Sequence, residues 1–152
     1  MNKLKYLGYS VVFQEVPDEV SLAINISGCP HKCEGCHSEY LWAYEGNYIS
    51  DDIDELIDKY EALITCVCFM GGDQNLSELI CLAEYIHSRG LKVAIYSGID
   101  DILSWGDNIY CFDYIKIGHY DKMAGPINKK TTNQKMFQIH PVVQEITNKF
   151  WR

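Results

Sequence analysis

Apolar and polar residues alternate from Val20 to Ser27: Val20, Leu22, Ile24 and Ile26 share one face, and Ser21, Ala23, Asn25 and Ser27 share the other. A period of two is that of a strand. The strand runs into Gly28-Cys29-Pro30, a turn signal, which puts the cysteines that follow in a loop at its C-terminal end. Ser38 is placed to cap a short helix through Trp42 and Tyr44. Ser50 opens a longer one, with Asp51 and Asp52 in a first turn that favours negative charge and an apolar stripe of Ile53, Leu56, Ile57, Tyr60 and Leu63. Ile64 to Met70 is an unbroken apolar run ending at Gly71-Gly72-Asp73, the pattern of a buried strand and its loop. Leu76, Leu79, Ile80, Ala83 and Ile86 then recur at helical spacing up to Gly90. Leu91 to Tyr96 is a third buried strand, closed by Ser97-Gly98. A short helix near Asp101 to Trp105, strands over Tyr114 to Ile117 and Lys135 to Ile139, and a terminal helix from Pro141 to Phe150 complete the pattern.

Strands alternating with helices predict an α/β fold with a mainly parallel sheet. No repeat, low-complexity tract or linker divides the 152 residues, so 1–152 reads as a single domain. Function in such folds gathers at the C-terminal ends of the strands. The cysteine loop, Gly71-Gly72-Asp73 and Ser97-Gly98 all fall there, and that coincidence points to one site.

Charge narrows the partners. The formal net charge is −8, the pI near 5.0, and the arginines are Arg89 and Arg152. A nucleic-acid binder needs a basic surface to displace phosphate counterions, so that class is disfavoured. Residues 39–84 carry eleven acids against Lys59, net −10. Residues 114–140 carry Lys116, Lys122, Lys129, Lys130 and Lys135 against Asp121, net +4. The two segments are either solvated faces or complementary surfaces for a protein partner. No apolar run approaches the ~20 residues of a membrane span, and no hydrophobic signal core follows the first lysines. A cytoplasmic protein is expected, with neither membrane nor nucleic acid among its partners.

Seven cysteines, an odd number, cannot form a fully paired disulfide framework within one chain. Cys66, Cys68, Cys81 and Cys111 lie in apolar surroundings and read as small buried hydrophobes. Cys29, Cys33 and Cys36 instead form a C-x3-C-x2-C loop. Three thiolates on one short loop can each hold one iron of a cubane cluster and leave the fourth iron open to a small molecule. A structural zinc site completed by His31 or His37 uses the same residues, and the spacing leaves both standing. None of His31, His37, His87, His119 and His140 suggests an acid–base pair.

Ser27-Gly28-Cys29-Pro30-His31-Lys32-Cys33-Glu34-Gly35-Cys36-His37, Gly71-Gly72-Asp73, Tyr96-Ser97-Gly98 and Thr131-Thr132-Asn133-Gln134 together resemble the radical S-adenosylmethionine superfamily. Within it they are similar to the activating proteins of anaerobic ribonucleoside-triphosphate reductase, over about residues 6–140. The chain departs from relatives in running from Asp73 straight to Gln74-Asn75, and in having Lys129-Lys130 before the late Thr131-Thr132-Asn133-Gln134.

The resemblance implies an incomplete (β/α) barrel, a truncated radical S-adenosylmethionine core. It implies one 4Fe-4S cluster on Cys29, Cys33 and Cys36, with S-adenosylmethionine on the open iron. Gly35, Cys36 and His37 would contact the nucleoside, and Gly71, Gly72, Asp73 and Ser97 would complete the cofactor site. Asp73 would orient the bound amino group or merely cap the next helix. The implied enzyme splits S-adenosylmethionine with one electron from an external donor. The resulting 5′-deoxyadenosyl radical takes a hydrogen from a C-terminal glycine of the reductase large subunit, leaving a stored glycyl radical. An incomplete wall would admit that macromolecular loop, and the small chain could pair with itself as a homodimer. An activase or modifying enzyme for another substrate in the superfamily, and a non-catalytic zinc-stabilised binding module, are the alternatives.

Overall fold

The computed structural model describes residues 2–33, 35 and 39–151. One eight-stranded sheet runs through them. Its strands are β1 (Lys5–Val12), β2 (Ser21–Ile26), β3 (Asn47–Tyr48), β4 (Cys66–Met70), β5 (Lys92–Tyr96), β6 (Tyr114–Ile117), β7 (Lys135–Gln138) and β8 (Gln144–Glu145), in the spatial order β3-β1-β2-β4-β5-β6-β7-β8. The central strands β2, β4, β5 and β6 are parallel, and antiparallel strands flank them on both sides. Helix α1 (Ile49–Tyr60) crosses from β2 to β4 and α2 (Leu76–Ser88) from β4 to β5. This α/β arrangement is compatible with an incomplete (β/α) barrel.

Register explains both cores. Ile24, Phe69, Ile95 and Ile115 lie side by side across the parallel strands. All four are fully buried in the large cluster that also takes Ile53, Leu56 and Ile57 of α1 and Leu79, Ala83 and Ile86 of α2. The alternate residues Cys68, Ala94 and Tyr114 face the other way, into a smaller cluster with Val16, Met136 and Ile146. Both faces of β2 are therefore covered. Ser21 and Ala23, read from the alternation as the polar face, are 0% and 5% exposed.

Several elements differ from the sequence expectation. Helix α1 starts at Ile49, the preceding residue Tyr48 provides no side-chain cap, and Leu63 lies beyond its end, 65% exposed. The short helix after the cysteines is a single 3-10 turn, Glu39–Leu41, and its expected cap Ser38 lies outside the described residues. Near Asp101 the chain forms 3-10 turns over Ile102–Cys111, broken at Gly106. The expected terminal helix is instead β8 followed by a 3-10 turn, Thr147–Phe150. Pro141 cannot donate a helical hydrogen bond, and Val142 and Val143 are β-branched and exposed. Ile146 and Thr147 are the residues that bury, and Thr147 Oγ1 accepts from the Met136 N–H at 3.0 Å. Strands β1 and β3 have no counterpart in the sequence reading. No helix among the described residues is long and apolar enough to cross a membrane.

Candidate functional site

The row one step nearer the C-terminal ends of the parallel strands is Asn25, Met70, Tyr96 and Lys116. It borders a cavity of about 200 Å³. Above it lie Cys29 and Cys33 from the loop after β2, Gly71, Gly72 and Asp73 after β4, and Ser97 and Gly98 after β5. The three segments singled out by position in the sequence thus converge. Cys36 and His37 lie outside the described residues, and Gly35 is a turn residue with the Lys122 side chain beside it. A second cavity, about 690 Å³, adjoins the first, and His31, Cys33, Gly98, His119 and Tyr120 border both.

Cys29 and Cys33 are free and half-buried. The Cys29 N–H donates to Leu41 O at 3.0 Å, which ties the loop to the 3-10 turn behind it. Gly72 has φ +111°, and a Cβ there would lie 2.9 Å from both terminal methyls of Leu79. Only glycine gives this backbone its left-handed turn against α2. Asp73 begins the 3-10 turn Asp73–Asn75, and α2 is capped by Asn75, whose Oδ1 accepts from the Glu78 N–H at 3.2 Å. Asp73 is thus not the cap of α2. Its Oδ2 accepts from His31 Nε2 at 2.5 Å and from the Gly98 N–H at 2.9 Å, while its buried Oδ1 has no partner. Ser97 is 1% exposed, and its Oγ accepts from the Ile99 N–H at 3.1 Å, so it shapes the loop after β5.

Lys116, counted above in a basic surface segment, is 7% exposed. Its Nζ lies 5.3 Å from the Tyr96 ring centre and donates to Gly118 O at 3.1 Å. Burial lowers its pKa to about 8, against the opposing pull of Asp73, Cys33, Cys68 and Cys29. An ammonium held beside thiols and a carboxylate balances negative charge on the cavity floor. A lysine inside the otherwise apolar run Tyr114-Ile115-Lys116-Ile117 is the signal that could have found it.

Histidine pairing was also invisible to sequence. His31 pairs with Asp73, His87 with Asp113 at 2.8 Å, and His119 with Asp100 at 2.7 Å. Hydrogen bonds from His119 hold the Asp100 carboxyl below its usual range. Of the scattered cysteines, Cys66 and Cys68 are buried as expected, Cys111 is half-buried and Cys81 is exposed. Burial pushes the Cys66 thiol up to about 12 and Cys68 well above its ordinary value, so both stay protonated and poor at binding metal.

Among the described residues no three His, Cys, Asp or Glu groups gather closely enough to hold a metal, the third loop cysteine lying outside them. Two accessible thiols on one loop nonetheless form a soft donor pair that fits an iron–sulfur cluster, and an unpartnered carboxylate oxygen and a buried lysine beside them fit a polar ligand. Residues 20–139 match the model of the 4Fe-4S single cluster domain family. That span is most of the chain, which therefore belongs to this family and carries a 4Fe-4S cluster domain. No curated protein and no solved structure matches it.

Proposed function

We propose that the chain is a radical S-adenosylmethionine activase that generates the glycyl radical of anaerobic ribonucleoside-triphosphate reductase in the cytoplasm. The observation that carries this reading is the convergence of Cys29, Cys33, Gly72 and Asp73 on one cavity above the parallel strands. The C-x3-C-x2-C spacing and the family match support it.

In this reading Cys29, Cys33 and Cys36 hold three irons of the cluster. A bound cluster, reduced by the external donor, and S-adenosylmethionine would supply the one-electron chemistry needed to remove a glycine Cα hydrogen. Asp73 Oδ1, buried without a partner, would accept from the cofactor's ammonium. Gly71 and Gly72 would bring backbone close to the methionine end, and Gly35, Cys36 and His37 would contact the nucleoside. Lys116 offsets thiolate and carboxylate charge on the floor. An external one-electron donor and the reductase large subunit are the partners.

The test is electron paramagnetic resonance on anaerobically reconstituted, reduced protein, with and without S-adenosylmethionine. A cluster signal altered by the cofactor is expected. Coexpression with the large subunit should then give a glycyl-radical signal. A signal indifferent to the cofactor, or stoichiometric zinc without iron, overturns the proposal.

A further inference from the structure

We infer that His31 is a positioning residue for the metal centre: with Asp73 it forms a latch that holds the cysteine loop over the cavity. The inference rests on the reading of that loop as the cluster site.

Among the described residues no backbone hydrogen bond runs within the segment Cys29-Pro30-His31-Lys32-Cys33. Lys32 adopts φ +47°, a left-handed conformation that a residue with a Cβ enters at a cost, so the turn needs an external tie. His31 provides one by reaching from the loop after β2 to Asp73 after β4, Nε2 donating to Oδ2 at 2.5 Å. The Gly98 N–H after β5 donates to the same oxygen at 2.9 Å. One carboxylate oxygen therefore joins all three loops, where the other bonds between them, Gln74 Nε2 to Ser27 O at 2.9 Å and Gly71 N–H to Tyr96 O at 3.0 Å, each link only two. The tie is sheltered, since the Asp73 side chain is 9% exposed and that of His31 28%.

Gly98 gives a second, independent sign. A Cβ at that position would lie 2.6 Å from His31 Cγ and 2.7 Å from Nε2, inside the imidazole's own space. The backbone after β5 is bare where the ring lies against it. The division of labour within Asp73 completes the argument. Oδ2 is committed to the latch and Oδ1 is buried and unpartnered, so a single side chain fixes the thiol loop with one oxygen and meets a ligand with the other. Groups that orient ligands from outside the metal's own shell typically cost roughly 10–100-fold in metal affinity when removed, and a tie that holds the ligand loop is expected to act on that scale.

The experiment compares anaerobically reconstituted wild type with His31→Leu, His31→Gln, Asp73→Asn and the His31→Leu/Asp73→Asn pair. Iron release to a chelator is timed without S-adenosylmethionine, and the spectrum of the reduced cluster is recorded beside it. His31→Leu should release iron roughly 10–100-fold faster. His31→Gln, whose amide can still donate to Asp73, should restore most of the retention. The double variant should be no worse than His31→Leu alone, because the two residues form one contact. The paramagnetic signature should be unchanged throughout, as befits a residue that does not ligate iron. Wild-type retention in His31→Leu overturns the latch, as does a His31→Gln spectrum altered before cofactor is added, which would make His31 a ligand. If His31→Leu does not fold, His31→Ala carries the same loss and is compared with His31→Gln in its place. A wild-type cluster that ignores S-adenosylmethionine defeats the activase reading yet leaves iron release readable. A responsive wild type with unaltered release in the variants defeats the latch alone.

Discussion

The two ends of the parallel strands are built on opposite plans. At the N-terminal end, buried Glu19 accepts from Thr65 Oγ1 at 2.7 Å, Lys92 Nζ at 2.9 Å and Tyr114 OH at 2.6 Å. Nearby, Asp113 Oδ2 accepts from the Val93 N–H and from His87 Nε2, both at 2.8 Å. At the C-terminal end the described residues leave Trp42 Nε1, Asp73 Oδ1, Gln74 Oε1 and Asn133 Oδ1 buried without partners, against Ser21 Oγ at the other. Buried polar atoms are normally satisfied because each orphan costs about 1–3 kcal/mol. Orphans collected at one end mark where binding was favoured over stability, while the satisfied end holds the strands together.

Four experiments would sharpen or break this contrast. The largest effect belongs to Cys33→Ala, which should abolish iron binding in reconstitution while the chain melts within about 1 kcal/mol of the metal-free wild type, the thiol being only half-buried. A variant that loses iron and fold together would make the C-terminal end structural after all. Glu19→Ala is the mirror image. Removing it leaves the buried Tyr114 hydroxyl without its acceptor, while the half-exposed Lys92 turns to water, and should cost about 3 kcal/mol in urea unfolding, with iron per folded molecule unchanged. Gly72→Ala sits where the two plans meet. Its Cβ would press on Leu79 in a left-handed backbone, and calorimetry should register a loss of about 2 kcal/mol.

The smallest effect is on pH dependence. Burial works to raise the Glu19 pKa, but the hydrogen bonds from Tyr114, Lys92 and Thr65 outweigh it and hold it below the ordinary 4.5. A group depressed in the folded state contributes stability that is complete above its unfolded pKa and fades as pH falls through the folded one. Urea midpoints should therefore drop below about pH 4.5, and Glu19→Gln should make that acid limb shallower. An unchanged limb would remove Glu19 from the account.

Much of the site-bearing frame was legible because its elements report their own period. Strands β2, β4, β5 and β6 and helix α2 are continuous or regularly spaced apolar runs, and the glycine signals at Gly71-Gly72 and Ser97-Gly98 end them where the loops begin. Strand β1 was not, because its mixed burial follows no clean alternation and its pairing with β2 shifts between Tyr6 and Tyr9. The terminal segment failed for a related reason. Two-residue β8 owes its conformation to β7 beside it, not to its own pattern. In the site, the thiols and glycines could be read because their spacing is local. The His31–Asp73 tie spans 42 positions and the Glu19–Tyr114 bond 95, and nothing local encodes either. Lys116 lay between: its place in an apolar strand was visible, but its burial needed the opposite wall.

The shift in β1 bears on how the chain behaves in a crowded solution. Among the described residues strand β3 pairs with Lys5 and Tyr6 alone, which leaves most of the outer side of β1 without a strand partner. An uncovered strand invites a second molecule to add on and start a fibre. Here the irregularity after Tyr6, with Gly8 at φ +145°, breaks the run of free N–H and C=O groups and turns the strand out of the plane a newcomer would need. The exposed Leu7, Tyr9 and Phe13 along that stretch are thus denied a straight ladder on which to aggregate.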